Sequence, residues 1–269
     1  MFETCFKAYL KEFTQTSKPV WSYDAGVVLL GAKEMYEATG QTCYYEQLVE
    51  YMNHYILDDG SFLDLDETEV NTDKISSGKI LCYLYEQTKE EKYKIALDTL
   101  MNMLRRYIGT AIDDVYTSLP LYLEYETKYN EKENYNDVYM RMKNARNLFA
   151  NERLSLSCKM RDLMALIDMY ENSSEEVFEQ HKQYSIWFKK ALKGILTYQY
   201  KETQISAIVA YCILKGCRLG ILLKEKYQYI GEEIVQELLK QNFGELKDAQ
   251  DIGTTALAYA EFLKRSEEL

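Results

Sequence analysis

The chain has 269 residues, 47% hydrophobic and 28% charged, with 2 Pro and 12 Gly, so no Pro- or Gly-rich linker divides it and one domain is expected. A formal net charge of -11 argues against a nucleic-acid partner, whose phosphates need a basic surface. No stretch approaches the roughly 20 apolar residues of a membrane span.

Apolar residues recur at three- and four-residue spacing along nearly the whole sequence, the helical period. The pattern, broken at Gly, Asn, Asp and Ser, predicts about twelve helices over 2–14, 22–39, 42–57, 74–88, 90–108, 113–130, 132–150, 157–171, 178–199, 203–216, 224–241 and 252–265. A helix end, a short polar turn and a tyrosine recur at Ala38–Tyr45, Gln87–Tyr93 and Lys128–Tyr135. That period of some forty residues marks a stacked supersecondary unit, here an antiparallel helical hairpin. Six hairpins in a row would leave two exposed ends, and neither terminus carries an evident polar capping repeat. The expected fold is therefore all-α: one domain over 1–269 closed into an (α/α)6 barrel.

The six cysteines (Cys5, Cys43, Cys82, Cys158, Cys212, Cys217) include no Cys-x-x-Cys pair and sit mostly among apolar residues. They read as reduced core residues of a cytoplasmic protein, and Met1–Cys5 lacks the basic-then-apolar order of a signal peptide. With 2 His, a zinc site is not expected, and no other cofactor is indicated.

In such a ring the inner helices run parallel, so their N-termini gather at one mouth. The second member of each hairpin reads as inner, since 22–39 is rich in Val, Leu, Gly and Ala. The edges of the inner helices then bring Trp21, Tyr23 and Asp24, Asn71 and Asp73, Asp113, Asp114 and Tyr116, Lys159 and Arg161, Glu202 and Gln204, and Asp248 and Asp251 toward one opening. Aromatics and carboxylates converging there suit carbohydrate binding and acid catalysis. For any single Asp before a helix, capping of free backbone N–H groups is the favoured explanation.

The wording of several segments carries more. Trp21–Gly31, Asp59-Gly60, Asp73-Lys74-Ile75-Ser76-Ser77-Gly78-Lys79-Ile80-Leu81 with Leu84-Tyr85, Ile112–Tyr116 with Pro120, and Met164–Asp168 resemble the unsaturated rhamnogalacturonyl hydrolases. These form glycoside hydrolase family 105, relatives of the unsaturated glucuronyl hydrolases of family 88. The resemblance is specific before residue 130 and looser after it. It implies an (α/α)6 barrel that removes a terminal unsaturated uronic acid from a small oligosaccharide by hydrating its enol-ether double bond. Carried over by position, Asp113 delivers the proton and Asp73 supports it. Trp21, Tyr23, Asp114, Tyr116, Arg161 and Glu202 are then the candidates for holding the sugar.

Three departures accompany the likeness. The family's loop with Trp, His and Gln before the Asp113 segment has no room between Arg106 and Ala111. Asp114 stands where the family has Gly, and Ser157–Asp162 replaces its Arg-Gly-x-Gly-Trp. The alternative expectation is thus a catalytically degenerate barrel used for binding or assembly, for which the 25 tyrosines suit contacts between copies in a homo-oligomer.

Overall fold

The computed structural model describes residues 1–15, 21–63, 65–66, 72–107, 112–149, 154–198, 202–241 and 248–265. Within them lie thirteen α-helices: α1 (Phe2–Gln15), α2 (Tyr23–Thr39), α3 (Thr42–Asn53), α4 (Thr72–Ser76), α5 (Leu81–Thr88), α6 (Glu91–Arg106), α7 (Ile112–Tyr129), α8 (Tyr135–Phe149), α9 (Leu156–Asn172), α10 (Phe178–Ile195), α11 (Thr203–Arg218), α12 (Lys224–Leu238) and α13 (Ala249–Lys264). The expected helix 74–88 is α4 and α5 joined by a 3-10 turn, Ser77–Ile80, so the three pieces follow one another without a break. No helix among the described residues is long and apolar enough to cross a membrane.

The ring closes. α2 packs on α4 and the 3-10 turn, α4 on α7, α7 on α9, α9 on α11, α11 on α13, and α13 returns to α2. Five inner helices carry an outer partner, through the pairs α2–α3, α5–α6, α7–α8, α9–α10 and α11–α12, while α1 lies beside α3 and sets Phe2 edge-on to Tyr259 of α13. Side-chain distribution explains the two layers. α11 is buried on nearly every side from Ile205 to Cys217, as an enclosed helix must be. α6 buries one stripe (Tyr93, Ala96, Leu97, Leu100, Met101, Leu104) and turns its charges outward. Burying each Leu of such a stripe contributes about 1.5–3 kcal/mol.

The closing contact needs glycine. A Cβ on Gly253 would stand 2.9 Å from the Val27 carbonyl carbon and the Val28 nitrogen, so α2 and α13 touch backbone to backbone.

Two of the three recurrent turns share one geometry. Thr39 donates to the Met35 carbonyl, the Gln41 N–H donates to Thr39 Oγ1, and Gly40 between them adopts φ 66°. Thr88, Lys89 (φ 59°) and Glu90 repeat it bond for bond. The tyrosine that follows is buried in each hairpin, as Tyr44, Tyr93 and Tyr135. In the first hairpin that is Tyr44, one residue before the tyrosine the spacing had pointed to.

Candidate active site

Hydrogen bonds between helix starts establish that the inner helices are parallel. Ser22 caps α2, its side chain accepting from the Ala25 N–H, while its carbonyl accepts a 2.6 Å bond from Ser77 Oγ. Gln250, in the first turn of α13, donates to Asp24 Oδ1 on α2 at 2.7 Å. Gln204, in the first turn of α11, in turn bonds the Gln250 carbonyl oxygen. On α9 the Arg161 guanidinium lies 5.0 Å over the Tyr23 ring of α2. Four inner helices and the 3-10 turn therefore meet at one mouth.

A register accompanies this. Asp24, Asp73, Asp113, Ser157, Gln204 and Gln250 each occupy the second position of their helix, in α2, α4, α7, α9, α11 and α13. Side-chain bonds join three of the six, and α4 packs against both α2 and α7. Asn71 and the side chains of Asp73, Asp113, Asp114 and Tyr116 lie outside the described residues.

The other candidates divide. Trp21 is half-buried at the edge of the mouth, 5.0 Å from the Tyr55 ring and 5.3 Å edge-on to Phe62, with its indole N–H buried and unpartnered. Tyr23 and Arg161 form the cation–π pair just described. Glu202 is exposed before α11 and makes no capping bond through its side chain. Lys159 donates to Tyr198 Oη at 2.8 Å, so its amine is engaged beside the mouth. Asp248 is a cap: its Oδ1 accepts from the N–H groups of Gln250 and Asp251 at 2.9 and 3.1 Å.

The residue absent from the sequence-based candidates is Gln250, which ties three helices into one rim. A polar residue at the same place in each inner helix is the signal that finds it. Beside it, Glu202, Gln204, Asp248 and Asp251 line a polar depression of about 460 Å³. Burial raises the Asp251 carboxyl above the usual range, and the charges of Asp248 and Glu202 add to the shift, although the Gln204 backbone opposes it. Burial and the neighbouring carboxylates therefore act on Asp251 against the helix N-termini aimed at this mouth, which favour an anion.

Residues 3–159 match the family profile of Glycosyl Hydrolase Family 88. The chain belongs to that family. It is a glycoside hydrolase. Solved structures agree on the fold. A family 105 glycoside hydrolase from Clostridium acetobutylicum superposes with a TM-score of 0.82 at 18% identity, covering 99% of both chains. A family 88 glycosyl hydrolase from Bacteroides vulgatus gives 0.78 at 13% identity, over 98% of this chain and 99% of that one. A protein described as a polysaccharide lyase gives 0.78 at 14%, over 98% and 97%. At these identities the likeness shows the barrel alone, and a barrel hosts more than one chemistry.

Proposed function

We propose that this hydrolase removes a terminal unsaturated uronic acid from a small oligosaccharide, with Asp113 as proton donor and Asp73 as its supporting carboxylate. The observation that carries the reading is register. Both aspartates take the same second position as Asp24, Gln204 and Gln250, whose side chains are joined at one mouth. Asp113 would protonate one carbon of the enol-ether double bond and accept a proton from the water adding to the other. The hemiketal so formed opens to a ketone and a hemiacetal at the anomeric carbon, and collapse of that hemiacetal to an aldehyde releases the alcohol of the next sugar. An acid must be protonated near neutral pH for this step. Burial and neighbouring carboxylates raise the Asp251 carboxyl on the same rim, the kind of influence this role asks of the surroundings of Asp113.

Arg161 supplies the cation for the uronate carboxylate, Tyr23 and Trp21 supply ring faces for the sugar, and Asp114, Tyr116 and Glu202 supply further polar contacts. The free cysteines fit a reducing, cytoplasmic compartment for such a small substrate. The test is incubation with unsaturated uronyl disaccharides of several linkages, following loss of the ultraviolet absorbance of the double bond. Loss that disappears with Asp113→Asn supports the assignment; no loss on any linkage, or loss undiminished by that change, defeats it.

A further inference from the structure

An open groove of about 390 Å³ lies on the outer flank of the N-terminal mouth, between the start of α9 and the ends of α8 and α10. Small-ligand sites run from roughly 300 to 1,000 Å³, so one sugar unit fits. Three cations, Arg146, Lys159 and Lys190, face it against one carboxylate, Asp162, in a chain whose net charge is -11. Lys159 and Arg161 leave α9 on opposite sides, being two residues apart on a helix. Arg161 reaches Tyr23 inside the mouth, and Lys159 reaches Tyr198 outside it.

The cations are positioned yet keep donors free. Arg146 commits Nη1 to both Asp162 oxygens and lies 5.4 Å over the Trp187 ring, while its Nε and Nη2 make no hydrogen bond among the described residues. Lys159 uses one of its three donors on Tyr198 Oη. Lys190 is exposed and makes no ion pair among the described residues. The helix dipole accounts for cations near the ends of α8 and α10, but not for Lys159 in the first turn of α9, where it disfavours one. Gly194 is a second, independent observation. It also lines the groove, its φ is not left-handed, and a Cβ there would meet no atom within 4 Å. Neither backbone nor packing asks for glycine in this helix, which alanine would strengthen. The space it leaves belongs to the groove. Beside it Tyr198 is 46% exposed, so its ring is open to contact.

We propose that this groove is a second carbohydrate site, for a sugar unit bearing a carboxylate or a phosphate ester. The sugar ring lies against Tyr198, and its anion sits among Lys159, Lys190 and the free edge of Arg146. Aromatic surface for the ring and donors for the anion are what such a unit needs, and the single carboxylate leaves the groove net positive. The first turn of α9 separates this site from the mouth, and it requires no particular reaction there.

Amide NMR shifts of the full chain, titrated with glucuronate, glucose 6-phosphate, glucose and inorganic phosphate, test the site in solution. The amides of Lys159, Lys190, Gly194 and Tyr198 report the groove, and those of Asp24 and Gln250 report the mouth, so the two sites are read apart. The expected result is a saturable shift at the groove amides with an acidic sugar and a much weaker one with glucose. A stronger response to glucuronate assigns a carboxylate, and a stronger one to glucose 6-phosphate assigns a phosphate ester. Gly194→Glu should weaken binding about tenfold, as a like charge a few ångströms away does, with Tm unchanged. Gly194→Ala should bind as wild type does, and Lys190→Met, at an exposed position, should also weaken binding. Groove amides that respond to neither acid, or equally to glucose, overturn the proposal. So does inorganic phosphate as effective as glucose 6-phosphate, which would leave the sugar ring no role. Binding undiminished in both Gly194→Glu and Lys190→Met overturns it as well.

Discussion

The two mouths of the barrel are built from the same six inner helices and do opposite things with charge. At the N-terminal mouth the chain enters each inner helix through connections of 5–18 residues, and side-chain amides there donate single hydrogen bonds, Gln204 to the Gln250 amide oxygen and Gln250 to the Asp24 carboxylate. At the C-terminal mouth it leaves through connections of 2–5 residues, and the side chains lock into ion pairs. Lys215 contacts Asp168 at 2.7 Å and Glu171 at 2.6 Å, Arg218 bridges Glu171 and Glu261, and Lys264 joins Glu34 and Glu37. Burial alone would raise the Glu34 carboxyl, yet Lys33, Lys264 and Lys215 hold it well below the usual range. One end is thus left free to meet a substrate, and the other is fixed by its own counter-charges.

If that division is correct, substitutions at the two ends should fail in different measurements. The largest effect should be Asp113→Asn, which should lower kcat/KM on an unsaturated uronyl disaccharide by about 10²–10⁴-fold with the unfolding midpoint in urea unchanged. Lys215→Met should do the reverse. Removing one partner from a buried pair typically costs about 3–5 kcal/mol, so the urea midpoint should fall sharply while the remaining folded protein retains its kcat. A Lys215→Met protein of wild-type stability would show that the C-terminal network contributes little.

The pH dependence sharpens the same contrast. Burial opposes ionisation of Glu171, but Lys215 and Arg218 prevail and bring its carboxyl down from 4.5 to about 2. Glu34 is depressed in the same sense. A depressed folded pKa means stability that is complete above the unfolded value and lost as pH falls through the folded one. The stability contributed by this mouth should therefore hold above pH 4.5 and drain away between about pH 4.5 and 2. Acid titration of wild type beside Lys215→Met checks it: the variant should show a visibly flatter loss over that window.

How much of this was legible beforehand follows from what each feature requires. The inner and outer layers were legible because burial leaves a local record: α2 and α11 are apolar nearly all round, whereas α6 shows one stripe. The Gln204–Gln250–Asp24 chain was not, because it depends on knowing that α13 returns to α2, joining residues 226 positions apart. The network around Lys215 was hidden for a related reason. Its cation stands in a run of buried residues on α11, while Asp168 and Glu171 come from α9. The 3-10 turn at Ser77–Ile80 was also missed, since Gly78 there abuts Leu100 of α6 and nothing nearby in sequence announces that contact.

Ring closure itself can be tested with one methyl group. Gly253→Ala places a Cβ 2.9 Å from backbone atoms of Val27 and Val28, which cannot swing aside as a side chain can. Overpacking of this kind costs about 1–3 kcal/mol. Both mouths should loosen together, so the urea midpoint and the KM should change in the same variant. A lower midpoint with an unchanged KM would mean that the α2–α13 seam supports the fold without setting the rim.

The smallest effect compares two copies of one turn. Thr39-Gly40-Gln41 and Thr88-Lys89-Glu90 share every threonine bond, and the N–H of Gly40 and of Lys89 each donate at 2.8 Å to the carbonyl four residues back. They differ at the left-handed position, where Lys89 holds φ 59° with a Cβ that Gly40 lacks. A side chain in that region costs about 1–2 kcal/mol, offset in part by the greater freedom glycine has when unfolded. Lys89→Gly should therefore stabilise the protein by about 0.5–1 kcal/mol and leave kcat and KM untouched, because the turn belongs to the C-terminal mouth. Gly40→Lys should destabilise by a similar amount. If both changes were neutral, the cation–π contact of Lys89 with Tyr85, at 5.7 Å, would be offsetting the backbone cost, and Lys89→Asn would then be the less stable variant.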